Sequence, residues 1–374
     1  MPSKIVHLTH SMEIGGTEQV IMQLVRGLDS ARFTNVITCI DGSIGEMGRI
    51  LQQQDYTIHS LSRNDGFDKD LIKEIRTILK AEQADIIHCH QYTPYCYGAL
   101  AAVGLPTKVV FTEHGRFYPD VYTWKRRVVN QLLARLTDAI VSISEATRQA
   151  LIEFEWLPAK QISVIYNGMT LDTDTANAAE ARQAINAISP GFVSEGDVVI
   201  GTVARLDSIK NHALMIRTIT RLYKNHPNCR LVIVGDGPER KNLEKLVEEL
   251  EINDAVLFTG FKNNTPDYID SFDIFLLTSD SEGTSMTLLE AMAFATPCIV
   301  TRVGGNPELI QHDKNGLLID RNSDDQLYNA IESLLANRQT GLTLGAQARD
   351  DFDSRFELRH MIKGYDELYA RLTG

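Results

Sequence analysis

Short apolar runs alternate with amphipathic stretches from one end of the chain to the other. Lys4-Ile5-Val6-His7-Leu8 is followed by Gly15-Gly16, then by Val20, Ile21, Leu24, Val25 and Leu28 at helical spacing. Further strand-like runs stand at 36–40, 86–90, 109–112, 139–143 and 162–165, each followed by enough chain for a crossover helix. Repeated strand–helix alternation predicts a parallel sheet with helices on both faces. Asn167-Gly168 is a turn signal. Residues 172–195 are polar, rich in Ala, Asn and Asp, and without an apolar strand, which makes them the expected linker. The alternation resumes at 198–203 and continues through 231–234, 256–258, 274–277 and 298–300. Helical stretches follow, the last over about 359–372. The pattern predicts an α/β protein of two doubly wound domains facing each other across a cleft. The expected division is 1–170 and 171–356, with a helix over about 357–374 packing back on the first domain. Ligands of such sheets sit beyond the carboxyl ends of the strands, so the residues just after each strand carry the candidate chemistry.

Length agrees with two domains, since 374 residues exceed what one core usually supports. No apolar run approaches the ~20 residues of a membrane span, and the N-terminal residues lack a cleavage-site pattern. Cys39, Cys89, Cys96, Cys229 and Cys298 are odd in number and scattered, as expected of reduced core residues in a cytoplasmic protein. A formal charge of −12 argues against nucleic acid as a partner. Residues 1–170 hold 17 basic and 18 acidic side chains, whereas residues 171–374 hold 20 and 31. Such asymmetry suits two domains with different surfaces.

The most informative segment is Ser281-Glu282-Gly283-Thr284-Ser285-Met286-Thr287-Leu288-Leu289-Glu290. It follows the apolar run 274–277 and becomes helix-forming after Gly283, so it predicts strand, tight turn and helix. The free N–H groups of that helix start form an anion site. Glu290, among Leu288, Leu289, Ala291 and Met292, is costly to bury unless something hydrogen-bonds to it. Two carboxylates bracketing an anion-binding turn suit a ligand with phosphate in its middle and hydroxyls at both ends. Otherwise Glu282 complements the helix dipole and Glu290 is a solvated helix residue. Arg205 and Lys210, just past the strand 198–203, would neutralise a diphosphate. Gly235, in Gly235-Asp236-Gly237, permits close backbone approach, although Glu239-Arg240 stand where a dinucleotide fingerprint needs its third glycine. Phe261 is an aromatic that could hold a base.

In the first half, Gly15 and Gly16 open a helix straight after a strand, and His114 follows the strand 109–112. In His88-Cys89-His90 the two histidines share one strand face and Cys89 the other. With no further ligand cluster visible, no metal site is expected there. The segment 124–136 is an amphipathic helix whose apolar stripe is Trp124, Val128, Val129, Leu132, Leu133 and Leu136. The stripe is expected to pack on the sheet. The helix's cations Lys125, Arg126, Arg127 and Arg135 make an anionic membrane surface a further candidate partner.

Together these residues resemble the retaining glycosyltransferases of the GT-B fold, family four of the sequence-based classification. The resemblance runs through Gly15-Gly16-Thr17-Glu18, His114, Ser142-Ile143-Ser144-Glu145, Asn167-Gly168, Arg205 with Lys210, Gly235-Asp236-Gly237, Glu282 through Glu290, and Val303-Gly304-Gly305-Asn306-Pro307-Glu308, in the family's order. It implies two Rossmann-like domains and transfer of a hexose from a nucleoside-diphosphate sugar to a sugar or lipid-linked acceptor. No metal or other cofactor is implied. Arg205 and Lys210 would hold the diphosphate, Glu290 the ribose, and Glu282 the transferred sugar. Gly283, Thr284, Ser285 and Met286 would offer backbone N–H groups, Gly16 would approach the diphosphate, and His114 would contact the sugar near the reacting carbon. Thr284-Ser285 stand where many members carry Phe-Gly, a variant resembling transferases of bacterial surface polysaccharides. A cytoplasmic enzyme, peripheral on the inner membrane face, is the expected setting. Two other readings fit the same residues: a sugar-nucleotide 2-epimerase of this fold, and a non-catalytic nucleotide-sugar binder.

Overall fold

A computed structural model describes residues 2–115, 124–171 and 178–374. The chain forms two compact units, Met1–Met169 with Glu357–Gly374, and Thr170–Phe356. In the first, seven strands, β1 (Ser3–Thr9), β2 (Phe33–Cys39), β3 (Thr57–Ser60), β4 (Ile86–His90), β5 (Lys108–Glu113), β6 (Ala139–Ser142) and β7 (Ile162–Val164), form one sheet in the order β3-β2-β1-β4-β5-β6-β7. In the second, β8 (Val198–Val203), β9 (Cys229–Val234), β10 (Val256–Gly260), β11 (Ile274–Leu277), β12 (Cys298–Thr301) and β13 (Leu317–Ile319) form another, ordered β10-β9-β8-β11-β12-β13. Every strand pair in both sheets is parallel. Strand order therefore reverses between β1 and β4 and again between β8 and β11. These switch points are where a doubly wound sheet opens a crevice.

The strands are continuous apolar runs because helices cover both of their faces. Ile5, Val6 and Leu8 of β1 and Phe275 and Leu276 of β11 are wholly buried. The helix Gly16–Gly27 presents Val20, Ile21, Leu24 and Val25 inward, the stripe its spacing predicts. The two edge strands of the first sheet escape the pattern: β3 has no buried residue, and β7 has one.

The expected linker, 172–195, differs from the reading above. Residues 172–177 lie outside the described residues, but Ala178–Ile188 is a helix. Ala181 and Ile185 are buried, and Arg182 pairs with Asp273 at 2.8 Å, so the segment belongs to the second unit's packing. The helix Leu358–Thr373 packs in the first unit. Its Asp366 pairs with Arg32, and Ile362 lies where Gly27 leaves room. All five cysteines are free, and all but Cys96 are buried. Among the described residues no helix is long and apolar enough to cross a membrane.

Gly345 lies inside the helix Arg338–Arg355, where a Cβ would fall 1.9 Å from the Ala295 carbonyl oxygen. Exchanging an exposed helical glycine for alanine usually gains about 1 kcal/mol. Here the clash reverses the sign, and Gly345→Ala should destabilise the second unit by about 1–3 kcal/mol. A chemical-denaturation midpoint that stays level or rises would refute this packing.

Candidate functional site

The turn after β11 is held from several sides before any ligand arrives. The Thr278 hydroxyl donates to the Lys210 carbonyl at 3.2 Å and the Asn211 carbonyl at 3.0 Å. The Asp280 amide donates to the Ile209 carbonyl at 2.7 Å, Thr301 Oγ1 donates to the Ser279 carbonyl at 2.6 Å, and the Gly305 amide donates to the Glu282 carbonyl at 3.3 Å. The loops after β8, β11 and β12 thus form one fastened body. Ser285 caps the helix Met286–Ala293, its hydroxyl accepting from the Leu288 amide at 3.3 Å. This leaves the preceding turn, with Gly283 and Thr284, beside the helix start.

Both carboxylates predicted from sequence are hydrogen-bonded. Glu282 Oε1 accepts from Lys210 Nζ at 2.6 Å and from the Ser279 hydroxyl at 2.6 Å. The Glu282 side chain is 8 % exposed and that of Lys210 23 %. An ammonium carries three donors, so Lys210 keeps hydrogens for a second acceptor. Glu290 is 3 % exposed, and its Oε2 accepts from the Thr265 hydroxyl at 2.8 Å. Thr265 begins the short helix Pro266–Ile269 that follows β10. Sequence spacing points to neither Ser279 nor Thr265, because each is an ordinary polar loop residue until the fold brings it to a carboxylate.

Arg205 is exposed, and among the described residues its guanidinium has no ion-pair partner. Gly235 has φ +139°, and a Cβ there would stand 2.0 Å from the Ala204 carbonyl oxygen. Its missing side chain therefore admits the loop carrying Arg205. The close backbone approach expected at Gly235 is to this loop, on the protein's own account. Phe261, just past β10, is 52 % exposed.

In the first unit, Gly15 adopts extended backbone at the start of the helix Gly16–Gly27. A Cβ on Gly15 would meet Glu18 Oε2 at 2.4 Å, so a first-turn carboxylate fills that space. Burial raises the Glu18 carboxyl above its ordinary pKa. Gly16 is exposed.

His114 follows β5 directly, in company the sequence reading missed. His90 Nδ1 and His114 Nε2 are 2.9 Å apart, His7 Nδ1 and His90 Nε2 3.1 Å, and His7 Nε2 and Asn35 Oδ1 3.0 Å. The period-two reading of His88 and His90 holds, with ring centroids 4.0 Å apart. The expectation that no further ligand stands near them does not. β1 pairs with β4 so that His7 lies opposite His88, and one ring nitrogen from each of His7, His88 and His90 lies within 4.8 Å of the others. All six nitrogens are nonetheless engaged. His88 Nδ1 meets the Tyr369 hydroxyl at 2.6 Å and His88 Nε2 meets Thr112 Oγ1 at 2.7 Å. The geometry is that of a hydrogen-bonded network.

The helix Trp124–Arg135 reverses the expected stripe. Among its described residues Asn130, Leu133 and Ala134 are buried, while Trp124, Val128, Val129 and Leu132 are 45–74 % exposed. Leu136 beyond it is also exposed, and of the predicted stripe only Leu133 packs inward. The cause is polar. Asn130 donates to both the backbone carbonyl and the Oε2 of buried Glu155, and Arg126 pairs with Glu155 Oε1 at 2.9 Å. These bonds turn the Asn130 side inward. Arg127 and Arg135 are exposed, and the side chain of Lys125 lies outside the described residues.

With this geometry in hand, two family models match the chain. One described as Glycosyl transferases group 1 covers residues 186–351, and one described as Glycosyltransferase Family 4 covers residues 14–173. The N-acetyl-alpha-D-glucosaminyl L-malate synthase of Bacillus anthracis is 27 % identical, over 81 % of this chain and 79 % of its own. The UDP-Gal:alpha-D-GlcNAc-diphosphoundecaprenol alpha-1,3-galactosyltransferase of Escherichia coli is 24 % identical, over 99 % and 97 %. The crystal structure of Anabaena Alr3699/HepE in complex with UDP superposes with a TM-score of 0.84 at 21 % identity, over 98 % of this chain and 100 % of that one.

Burial lowers His7 and His212 from 6.5 to about 4, and His114 to about 3. Below pH ~6.5 the unfolded rings take up protons that the folded ones refuse. Stability therefore falls as pH drops from ~6.5 towards ~4, by roughly 1–2 kcal/mol for each of the fully buried His7 and His212 between about pH 7 and 5. Urea unfolding at the two pH values measures this. Among the described residues neither ring nitrogen of His212 has a partner, so His212→Leu should flatten the dependence; an unchanged slope would contradict the assignment.

Proposed function

We propose, on the premise that this chain belongs to the group 1 glycosyltransferases of the GT-B fold, that it transfers a hexose from a uridine- or guanosine-diphosphate sugar to a sugar or lipid-linked acceptor. The anomeric configuration is retained and no metal is required. One observation carries the reading: Lys210 Nζ stands 2.6 Å from Glu282 Oε1, and Glu282 lies on the turn that leads into the helix bearing buried Glu290. The leaving group is a nucleoside diphosphate and the transition state is oxocarbenium-like, so positive charge placed on the departing phosphate lowers the barrier. Arg205 and Lys210 supply that charge, and Gly283, Thr284, Ser285 and Met286 add backbone N–H groups at the helix start.

Glu290 accepts from the ribose hydroxyls and Glu282 from hydroxyls of the transferred sugar. Gly235 shapes the loop that holds Arg205, and Phe261 offers a face to the base. In the first unit, Gly16 is assigned to the diphosphate, with Gly15 setting the turn, and His114 to the sugar near the reacting carbon. Among the described residues no first-unit carboxylate is an evident nucleophile. Retention is thus assigned to attack on the face from which the phosphate leaves, with that phosphate taking the acceptor's proton. The complex of Anabaena Alr3699/HepE with UDP favours uridine as the first nucleotide to test, and the diphosphoundecaprenol acceptor of the Escherichia coli relative favours a polysaccharide or glycoconjugate pathway at the inner membrane face.

A thermal-shift panel of UDP, GDP, ADP and their sugars in EDTA should single out one nucleotide, since ligand at 100 times its dissociation constant stabilises by about 2.7 kcal/mol. Calorimetry with that nucleoside diphosphate then separates the carboxylates. Glu290→Gln should weaken binding about tenfold, the loss of a charge-assisted hydrogen bond. Glu282→Ala should leave affinity nearly intact and lower turnover. Equal losses in both variants would reject the assigned roles. A sugar epimer formed without acceptor would identify an epimerase, and binding without turnover of any sugar a non-catalytic binder.

The outward apolar face of the helix Trp124–Arg135, flanked by exposed Arg127 and Arg135, supports docking on an anionic membrane. Each basic residue near such a surface contributes about 1 kcal/mol. Reversing Arg127 and Arg135 to Glu should therefore remove most of the affinity for anionic vesicles, while Arg126 is left in place to pair with Glu155. Wild-type protein that stays in the supernatant with anionic vesicles at low salt would show a soluble acceptor to be the better reading.

A further inference from the structure

The histidines that meet in the first unit form a one-way chain. Asn35 Nδ2 donates to the Val25 carbonyl at 3.3 Å, which orients the amide and aims Oδ1 at His7 Nε2. An amide oxygen only accepts, so His7 carries its hydrogen on Nε2 and leaves Nδ1 bare. The bare His7 Nδ1, 3.1 Å from His90 Nε2, requires the hydrogen there. His90 Nδ1 is then bare and accepts from His114 Nε2 at 2.9 Å. At the end of the series His114 Nδ1 is buried with no partner among the described residues. Each ring is neutral, since burial lowers all three histidines well under the ordinary value.

We propose that Asn35, His7 and His90 are positioning residues that lock His114 in the tautomer with hydrogen on Nε2 and a lone pair on Nδ1. His114 can then accept a hydrogen bond from its ligand and cannot donate one. Resting on the reading of His114 as the residue beside the transferred sugar, this makes Nδ1 a selector for a sugar hydroxyl that donates. A fluorine, keto or methoxy group at the same carbon offers no hydrogen and is disfavoured. The amide of Asn35, at the far end of the series, thereby sets what the site accepts.

Long-range ¹⁵N–¹H spectra of the histidine-labelled full chain, without ligand, report which ring nitrogen carries each hydrogen. Wild type should show His7, His90 and His114 protonated on Nε2. Asn35→Leu removes the anchor and should bring in a second His114 tautomer. Val25 keeps a donor in that variant, because the Tyr56 hydroxyl also reaches its carbonyl, at 3.2 Å. His7→Phe deprives His90 Nε2 of its acceptor and should drive His114 towards Nδ1–H. Asn35→Asp keeps an accepting oxygen and should restore the wild-type spectrum. A wild-type His114 protonated on Nδ1, or one unmoved in both Asn35→Leu and His7→Phe, overturns the relay. Turnover of the uridine-diphosphate sugar that the wild type uses gives the second readout. It should fall about tenfold in Asn35→Leu, equivalent to about 1.4 kcal/mol, and recover in Asn35→Asp. Normal turnover in His114→Ala, alongside the expected tautomer changes, removes His114 from the sugar and leaves the relay standing.

Discussion

A parallel strand cannot reach its neighbour by a hairpin; the chain must leave the carboxyl end, cross a face of the sheet as helix, and return to the far edge. Because every pairing in both sheets is parallel, every connection out of a strand begins at the same edge of its sheet. Arg205, Gly235, Phe261 and the Glu282 turn are brought to one edge of the second unit by this constraint, and Gly15, Gly16 and His114 to one edge of the first. The helices that follow bring their N-termini to the same edges, so unsatisfied N–H groups and candidate side chains arrive together.

Burial then decides what each charged group in the second unit can do. A carboxylate removed from water needs donors in return. Glu282 finds them in Lys210 and Ser279, and Glu290 in Thr265. These donors come from loops after three different strands, which ties the geometry of the turn to the integrity of the whole sheet edge. Arg205, which has no ion pair among the described residues, sits on a loop whose path depends on the absent side chain of Gly235.

Much of this was legible in the residues themselves. Strands buried on both faces read as apolar runs, Glu290 stood out because its neighbours are apolar, and Glu282 because it stands at the turn between an apolar run and a helix-forming stretch. The failures share a cause, the dependence of a residue's meaning on a partner remote in sequence. β3 is polar because it is an edge. Among its described residues the helix Ala178–Ile188 buries Ala181 and Ile185, too sparse a signal within a polar stretch. In the helix Trp124–Arg135 the apolar stripe faces outward because buried Asn130 answers Glu155, a residue 25 positions away. His7 joined His88 and His90 through strand adjacency, which period-two alternation does not specify.

The helix Leu358–Thr373 places the Tyr369 hydroxyl on His88 and the Tyr365 hydroxyl on Thr112, both wholly buried. With Met361 and Leu368 of the same helix, these tyrosines complete a core whose other members precede residue 170, and the entire second unit is threaded between. During synthesis from the ribosome, the first sheet therefore emerges with His88 and Thr112 lacking their tyrosine partners, and it must wait through residues 170–356 before they appear. Vectorial synthesis ordinarily lets an N-terminal domain finish early. Here the order is inverted: the second unit is contiguous and completes first, and the first acquires its final packing only when the returning helix docks.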